Sequence, residues 1–319
     1  MHDYLQNKET KNGFLRPSTK KSLQNCIEFS FKDWLDRPIA EINRDMCIKR
    51  FKQRSKTAPT QINQSFRNLR ALINYARELH AAEDGTYTIL ATNPVTQMFK
   101  GGLVQWNIEK PRTTRIPKNM IGAAWEVLQQ HANPNYNNRI TCTGADLICF
   151  MLLTGTRHGE AKRLKWADVK LNAPVPTFYL RETKNHNSIE LPINSALLEV
   201  LKRRCAQRIK GNEHVFPAVC GKSGHISDPR TIMERISEVV GTYIHFHALR
   251  RTFDDMAQVC GVDSDQRRQL LNHKASDIHG QAYSNNPDPE SLLPAVEKIG
   301  NWLLEQHSEY VESKLQQKK

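Results

Sequence analysis

The chain has 319 residues, with 46 lysines and arginines against 33 acidic residues, a formal charge of +13 and an isoelectric point near 9.4. At 39% hydrophobic and 25% charged residues it is not a disordered chain, and it is long enough for two domains with their own cores. The cationic surplus favours a polyanionic partner, nucleic acid first, with a generally basic enzyme as the alternative.

The seven cysteines are scattered (Cys26, Cys47, Cys142, Cys149, Cys205, Cys220 and Cys260) and none forms a C-x-x-C pair. That spacing argues against a disulfide framework or a zinc ribbon, and fits a reducing compartment. No apolar run reaches transmembrane length, and the start "MHDYLQNKETK" lacks a signal-peptide core. A cytoplasmic protein without a membrane partner is expected.

The first third reads as helices. "STKKSLQNCIEFSFKDWL" (Ser18–Leu35) carries Leu23, Cys26, Ile27, Phe31, Trp34 and Leu35 at helical spacing. A second helix is predicted over Glu41–Arg54. A third, over Ala58–His80, has Ile62, Phe66, Leu69, Leu72, Ile73 and Ala76 on one stripe and Arg67, Arg70 and Arg77 on other faces. A small bundle with a basic outer side results, and Arg67 and Arg70 become candidate DNA contacts; a solvated charged face is the alternative.

"EKPRTTRIPKN" (Glu109–Asn119) has two prolines, four basic residues and no hydrophobic period. It reads as a basic linker. The organisation expected is a helical domain over 1–109, a linker over 110–118 with Lys110, Arg112, Arg115 and Lys118 as candidate DNA contacts, and a second domain over 119–319.

The second part mixes types. "PKNMIGAAWEVLQQH" and the nearly all-apolar "GADLICFMLLTG" read as helices, the latter buried. Thr177–Ile193 reads as two short strands around a polar turn, Lys184–Asn187. "SALLEVLKRRCAQR" is helical, capped by Asn194 or Ser195. "SDPRTIMERISEVV" is expected to use Asp228 as cap and Pro229 as its first helical residue. "HALRRTFDDMAQVCG" and "SDQRRQLLNH" follow, then a helical piece running into Tyr283. The tail holds one amphipathic helix with Leu292, Leu293, Val296, Ile299, Trp302 and Leu303 on its apolar side, and Tyr310 beyond it.

Three motifs carry chemistry. In "LLTGTRHGE" a buried helix ends at Gly155 and Arg157 follows the turn, with Glu160 in reach of it or of a nearby histidine. In "HFHALRRTF", His247 and Arg250 lie three apart on one helix face, an arrangement suited to an anion such as phosphate. In "LLNHKASDIHGQAY", His273 ends one helix and Tyr283 lies on the next. Two arginines, two histidines and a tyrosine point to phosphoryl transfer, with the arginines stabilising a pentavalent phosphate and the tyrosine as nucleophile. His245-x-His247 as a metal pair has no further ligand pattern behind it. His158, His186 and His279 read as surface or supporting residues, and Trp166 as core.

These motifs resemble the tyrosine recombinases of phages and genomic islands. The family pattern of Arg, Lys, His-x-x-Arg, His or Trp, then Tyr appears in order as Arg157, Lys184, His247, Arg250, His273 and Tyr283. Asn272 departs from it, standing where glycine is common. The resemblance implies a mainly α fold with a small antiparallel sheet (α+β), made of an N-terminal helical SAM-like core-binding domain and a C-terminal catalytic domain. It implies an integrase that cleaves and rejoins DNA through a 3′-phosphotyrosine, integrating or excising a mobile element without metal or cofactor. In that scheme Tyr283 attacks, Arg157 and Arg250 grip the phosphate, and Lys184 protonates the leaving 5′-oxygen. His247 and His273 hold the phosphate and help move the tyrosine proton, while Glu160 orients the basic residues. The implied partners are double-stranded attachment sites, other copies of the chain in a homotetramer on DNA, and accessory DNA-bending or directionality proteins. The tail helix either docks on a neighbouring subunit or folds back on its own domain. The sequence shows no room for the extra N-terminal arm-binding domain of many integrases, so a short form or a fragment is expected. A type IB topoisomerase-like DNA relaxation activity and a catalytically silent DNA-binding regulator are the two alternatives.

Overall fold

The computed structural model describes residues 1–11, 13–181, 183, 187–219, 223–273 and 288–317. The chain divides into two compact units, Met1–Arg112 and Thr113–Lys319.

The first unit is helical. After α1 (His2–Asn7) and a small hairpin of β1 (Glu9–Thr10) and β2 (Gly13–Phe14) come α2 (Pro17–Phe31), α3 (Arg44–Ser55), α4 (Pro59–Leu79) and α5 (Pro94–Met98). The apolar stripe of α4 is the axis of its core: Ile62, Phe66, Leu69 and Ile73 are buried, and Phe66 meets the rings of Phe31 and Phe51 edge-on at 5.1 and 5.3 Å. The helix predicted through Leu35 stops at Phe31, and a 3-10 turn over Lys32–Trp34 lays Trp34 on Phe31 at 5.1 Å. The helix predicted from Glu41 begins at Arg44, because the Asn43 side chain accepts from the amide of Met46 at 3.0 Å and caps the helix there.

The predicted linker is not free along its length. Ile116 is buried in the second unit's core, its amide donates to Thr252 Oγ1 at 2.9 Å, and Arg115 Nη1 meets both carboxylate oxygens of Asp255 at 2.7 and 2.8 Å.

The second unit is built around α7 (Arg139–Thr154), in which every residue from Cys142 to Thr154 is buried. Packed on it are α6 (Ile121–Ala132), α9 (Ser195–Ala206), α10 (Arg230–Val240), α11 (Phe246–Val259) and α13 (Pro289–Gln317), with the short α8 (His158–Ala161) at its end and α12 (Ser264–Leu270) beside α11. An antiparallel sheet of β3 (Val169–Lys170), β4 (Thr177–Leu180) and β5 (Ile189–Pro192) pairs Phe178 with Leu191 and Leu180 with Ile189, all four buried. β4 and β5 are the two predicted strands. β3 was not predicted, since two residues cannot display a period.

The apolar run of α7 hides one charge. Asp146 is fully buried and accepts from Arg203 Nε at 3.0 Å and Arg204 Nη1 at 3.4 Å. Helix α10 starts one residue later than predicted. Pro229 occupies the cap position with a non-helical ψ of 66°, and Asp228 turns its carboxylate to Lys162, 3.4 Å away, instead of capping.

The tail helix folds back on its own unit. Leu292, Val296, Ile299 and Leu303 enter the core. Asn194 donates to the carbonyl of Val296 at 2.9 Å, and His307 meets Glu126 at 2.7 Å. The helix is longer than expected and runs through Tyr310 to Gln317. Among the described residues no helix is long and apolar enough to cross a membrane.

Candidate active site

Helix α7 ends because Gly155 takes a left-handed φ of 64°. A Cβ there would meet the ring of Phe253 at 2.6 Å and Leu271 at 2.8 Å, so only glycine suits both the conformation and the space. The chain then turns and Arg157 becomes the cap residue of α8. Buried Glu160 holds it: Arg157 Nη1 donates to Glu160 Oε1 at 3.1 Å, and the Arg157 amide to Oε2 at 3.4 Å. A planar guanidinium fixed on one edge keeps its other N–H groups pre-aimed.

Arg250, one turn into α11, is 5% exposed. It donates through Nη1 to the carbonyl of Gly155 at 2.8 Å and through Nη2 to the carbonyl of Leu271. One guanidinium therefore ties together the turn before Arg157, the helix bearing His247, and the segment before His273. His247 lies exposed in the first turn of α11. His273 follows Asn272, whose φ of 46° is left-handed, and its amide donates to the carbonyl of Arg268 at 3.0 Å. A left-handed residue here explains why the resemblance carries glycine at this position; asparagine is among the few other residues that tolerate it.

Electrostatics show the convergence. Partial desolvation lowers the pKa of His247, and Arg251, Arg250, His245 and Arg157 lower it further. His273 is lowered by burial and then by Arg250 and Arg157. Arg250 itself is pulled down to about 10, first by burial and then by Arg157, and still carries its charge at neutral pH. Four basic groups thus sense one another, an arrangement suited to a phosphate.

His245 is used locally, its Nδ1 accepting from the amide of Ala248 at 3.1 Å as a helix cap. Among the described residues no cluster of His, Cys, Asp and Glu could hold a metal ion. His158, read from sequence as surface or supporting, is mostly buried and stacked on Phe246. Trp166 is only partly buried, with the Arg208 guanidinium 4.8 Å from its ring centroid. Lys184 and Tyr283 lie outside the described residues, as do Cys220, His186 and His279.

Among the DNA-contact candidates, Arg67 is paired with Glu109 at 2.9 Å and lies over the Trp106 ring at 5.3 Å, with Arg70 at 6.0 Å from the same ring. Lys110, Arg112 and Lys118 are exposed, and Arg115 is paired with Asp255 as described. Sequence reasoning missed Asp255, Thr252 and Phe246, because their roles come from partners far away in the chain.

The phage integrase family model matches residues 123–289, just over half of the chain. The chain belongs to the phage integrase family. It is 24% identical over 285 residues to the prophage integrase IntF of Escherichia coli (strain K12), a match covering 85% of this chain and 55% of that protein. The chain spans about half the length of the curated relatives it matches. A lambda integrase tetramer bound to a Holliday junction is similar at a TM-score of 0.59 and 16% identity, over 84% of this chain and 72% of that one. The XerH site-specific recombinase bound to its difH substrate, in a pre-cleavage complex, is similar at 0.57 and 16%, over 82% and 72%. At that identity the likeness establishes the fold, which is that of the tyrosine recombinases: mainly helical with a small antiparallel sheet.

Proposed function

We propose that the chain is a site-specific DNA recombinase, an integrase that cleaves and rejoins DNA through a 3′-phosphotyrosine intermediate. The observation that carries the reading is Arg250 bridging Gly155 and Leu271, which gathers Arg157, His247 and His273 at one place. Arg157 and Arg250 would take the nonbridging oxygens of a scissile phosphate. An arginine has five N–H donors, and Arg250 gives two groups to carbonyls, leaving others for the anion. Tyr283 Oη would attack phosphorus, forming the tyrosyl ester and breaking the bond to the 5′-oxygen. Lys184 would protonate that oxygen, which leaves as a hydroxyl. His247 and His273, held toward the neutral form, suit taking and returning the tyrosine proton. Rejoining reverses the step with a 5′-hydroxyl from another strand.

The partners proposed are duplex attachment sites, further copies of the chain in a tetramer on DNA, and accessory bending or directionality proteins. Arg67, Arg70, Lys110, Arg112, Arg115 and Lys118 are proposed to contact the DNA backbone, in keeping with the net charge of +13.

The test is covalent trapping. Labelled nicked duplexes with candidate attachment sites are incubated with the protein in EDTA and run on a denaturing gel. A shifted band with the wild type, lost in Tyr283→Phe, is expected. No band on any duplex that the protein demonstrably binds would overturn the reading.

A further inference from the structure

His158 and Phe246 are first residues of their helices, α8 and α11. Each adjoins a residue of the site: His158 follows Arg157, and Phe246 precedes His247. Their rings stack face to face, centroids 4.1 Å apart and planes within 10°. Only 16% of the His158 side chain is exposed. Its Nε2 faces Asp228 Oδ1 at 3.6 Å, beyond hydrogen bonding, while Lys162 reaches the same oxygen at 3.4 Å.

We infer that the His158–Phe246 stack is a positioning device for the proposed cleavage step, setting the spacing between Arg157 and His247. The inference rests on the recombinase reading. Arg250 already fastens α11 to the turn at Gly155, two residues before Arg157. The stack is a second link between the same two elements, made at the first residues of α8 and α11. A parallel aromatic pair resists both sliding and separation, so it holds two loop-to-helix junctions in register. Burial, Lys162 and His225 hold His158 down to about 4, against the opposing pull of Asp228, so the ring is neutral at working pH. The Nε2 of the stacked ring is buried and makes no hydrogen bond, so the ring is not placed to bind a phosphate and its role is geometric. Misplacing a catalytic group by a fraction of an ångström slows a step without weakening the binding of a long duplex.

The experiment measures single-turnover cleavage of a nicked duplex at saturating protein, with duplex affinity measured alongside. His158→Ala is expected to slow cleavage about tenfold while affinity stays within about twofold. His158→Phe, which rebuilds a ring on Phe246, is expected to restore the rate to within about threefold. Phe246→Leu keeps an apolar side chain without a ring and is expected to match His158→Ala, and the double variant to be no slower than either single. Undiminished cleavage by His158→Ala, no rescue by His158→Phe, or additive losses in the double variant would overturn the positioning role alone. A wild type that binds but forms no adduct would overturn the recombinase reading and this role with it. Should His158→Ala fail to fold, the ring-preserving and Phe246 variants decide the matter.

Discussion

Arg250 donates to the carbonyl of Gly155 at 2.8 Å, across 95 positions of the chain, and the same side chain reaches the carbonyl of Leu271. A residue proposed to bind phosphate is therefore also a structural tie. Arg250→Lys keeps the charge but has one ammonium where a planar fork spans two carbonyls. At least one buried carbonyl would lose its partner, at a cost of about 1–3 kcal/mol. Cleavage is expected to fall by about a hundredfold or more, as when one donor to a developing oxyanion is removed. Thermal unfolding and single-turnover cleavage of the same variant separate the two losses, and a variant as stable and active as wild type would contradict the double role.

That dual use also shows what a sequence displays and what it hides. Arg157, His247, Arg250 and His273 stood out in the sequence through a family resemblance, and the structure brings the turn before Arg157, the helix of His247 and the segment before His273 together around Arg250. The helices were readable because their apolar stripes are long, as in α4. Partners set by tertiary packing were not. Asp146 sits in an apolar run, and nothing local announces that Arg203 and Arg204 will reach it. The start of α10 was misjudged by one residue because the pull of Lys162 on Asp228 comes from 66 positions away. The tail helix carried an apolar face whose target no periodicity names. Contacts with α6, β5, α9 and α11 decide it.

Asn272 offers a test in backbone conformation alone. Its φ is 46°, and its side chain donates to the carbonyl of Asn187 at 3.3 Å. Asn272→Ala loses that bond and meets the left-handed steric penalty of ~1–2 kcal/mol, and is expected to destabilise by about that much. Asn272→Gly removes the strain but frees the unfolded chain, so its net effect is expected within about 1 kcal/mol of wild type. Chemical denaturation of the two variants should rank alanine well below glycine; equal stability would contradict a strained φ at this position.

The buried histidine gives a pH dependence of definite sign. The folded chain holds His158 at about 4, whereas an unfolded histidine titrates near 6.5. Between those values the unfolded state binds the extra proton, so stability is lost as pH falls from about 6.5 toward 4, by roughly 3 kcal/mol in all. His247 and His273 are lowered too and add acid sensitivity of the same sign. His158→Phe should therefore lose less stability than wild type between pH 7 and pH 4.5, though not none. Urea midpoints at the two pH values give the comparison, and equal losses would place the His158 proton elsewhere.

Arg67 and Glu109 make a second charge test, in the first unit. Glu109 is held below the usual carboxylate range by Asn63 first and by Arg67 next, so it stays ionised and competes for the arginine. If Arg67 contacts a DNA phosphate, Arg67→Ala should weaken duplex binding and reduce the salt slope by about one ion. Glu109→Gln should strengthen binding by releasing Arg67. Fluorescence anisotropy across a salt series reads both. An unchanged slope in Arg67→Ala would remove this residue from the proposed interface.

The packing of the tail helix can be tested where α13 lies against Gly122 of α6. At Gly122 an added Cβ would lie 2.1 Å from the carbonyl oxygen of Gln306 and 2.8 Å from Cβ of Tyr310. Two effects oppose each other in Gly122→Ala. Gly122 is the second residue of α6, where alanine in place of glycine favours folding by at most about 1 kcal/mol, the helix-interior value. Against that, the clash is with backbone, which cannot swing aside as a flexible side-chain end could. Overpacking of this kind costs about 1–3 kcal/mol and pushes the helices apart. Separation would also strain the His307–Glu126 pair at 2.7 Å, one further turn along. The clash should win, so Gly122→Ala is expected to lower the melting temperature, although helix propensity alone predicts a rise. A higher melting temperature for Gly122→Ala in the full chain would mean that α13 does not lie against α6 as closely as the structure places it.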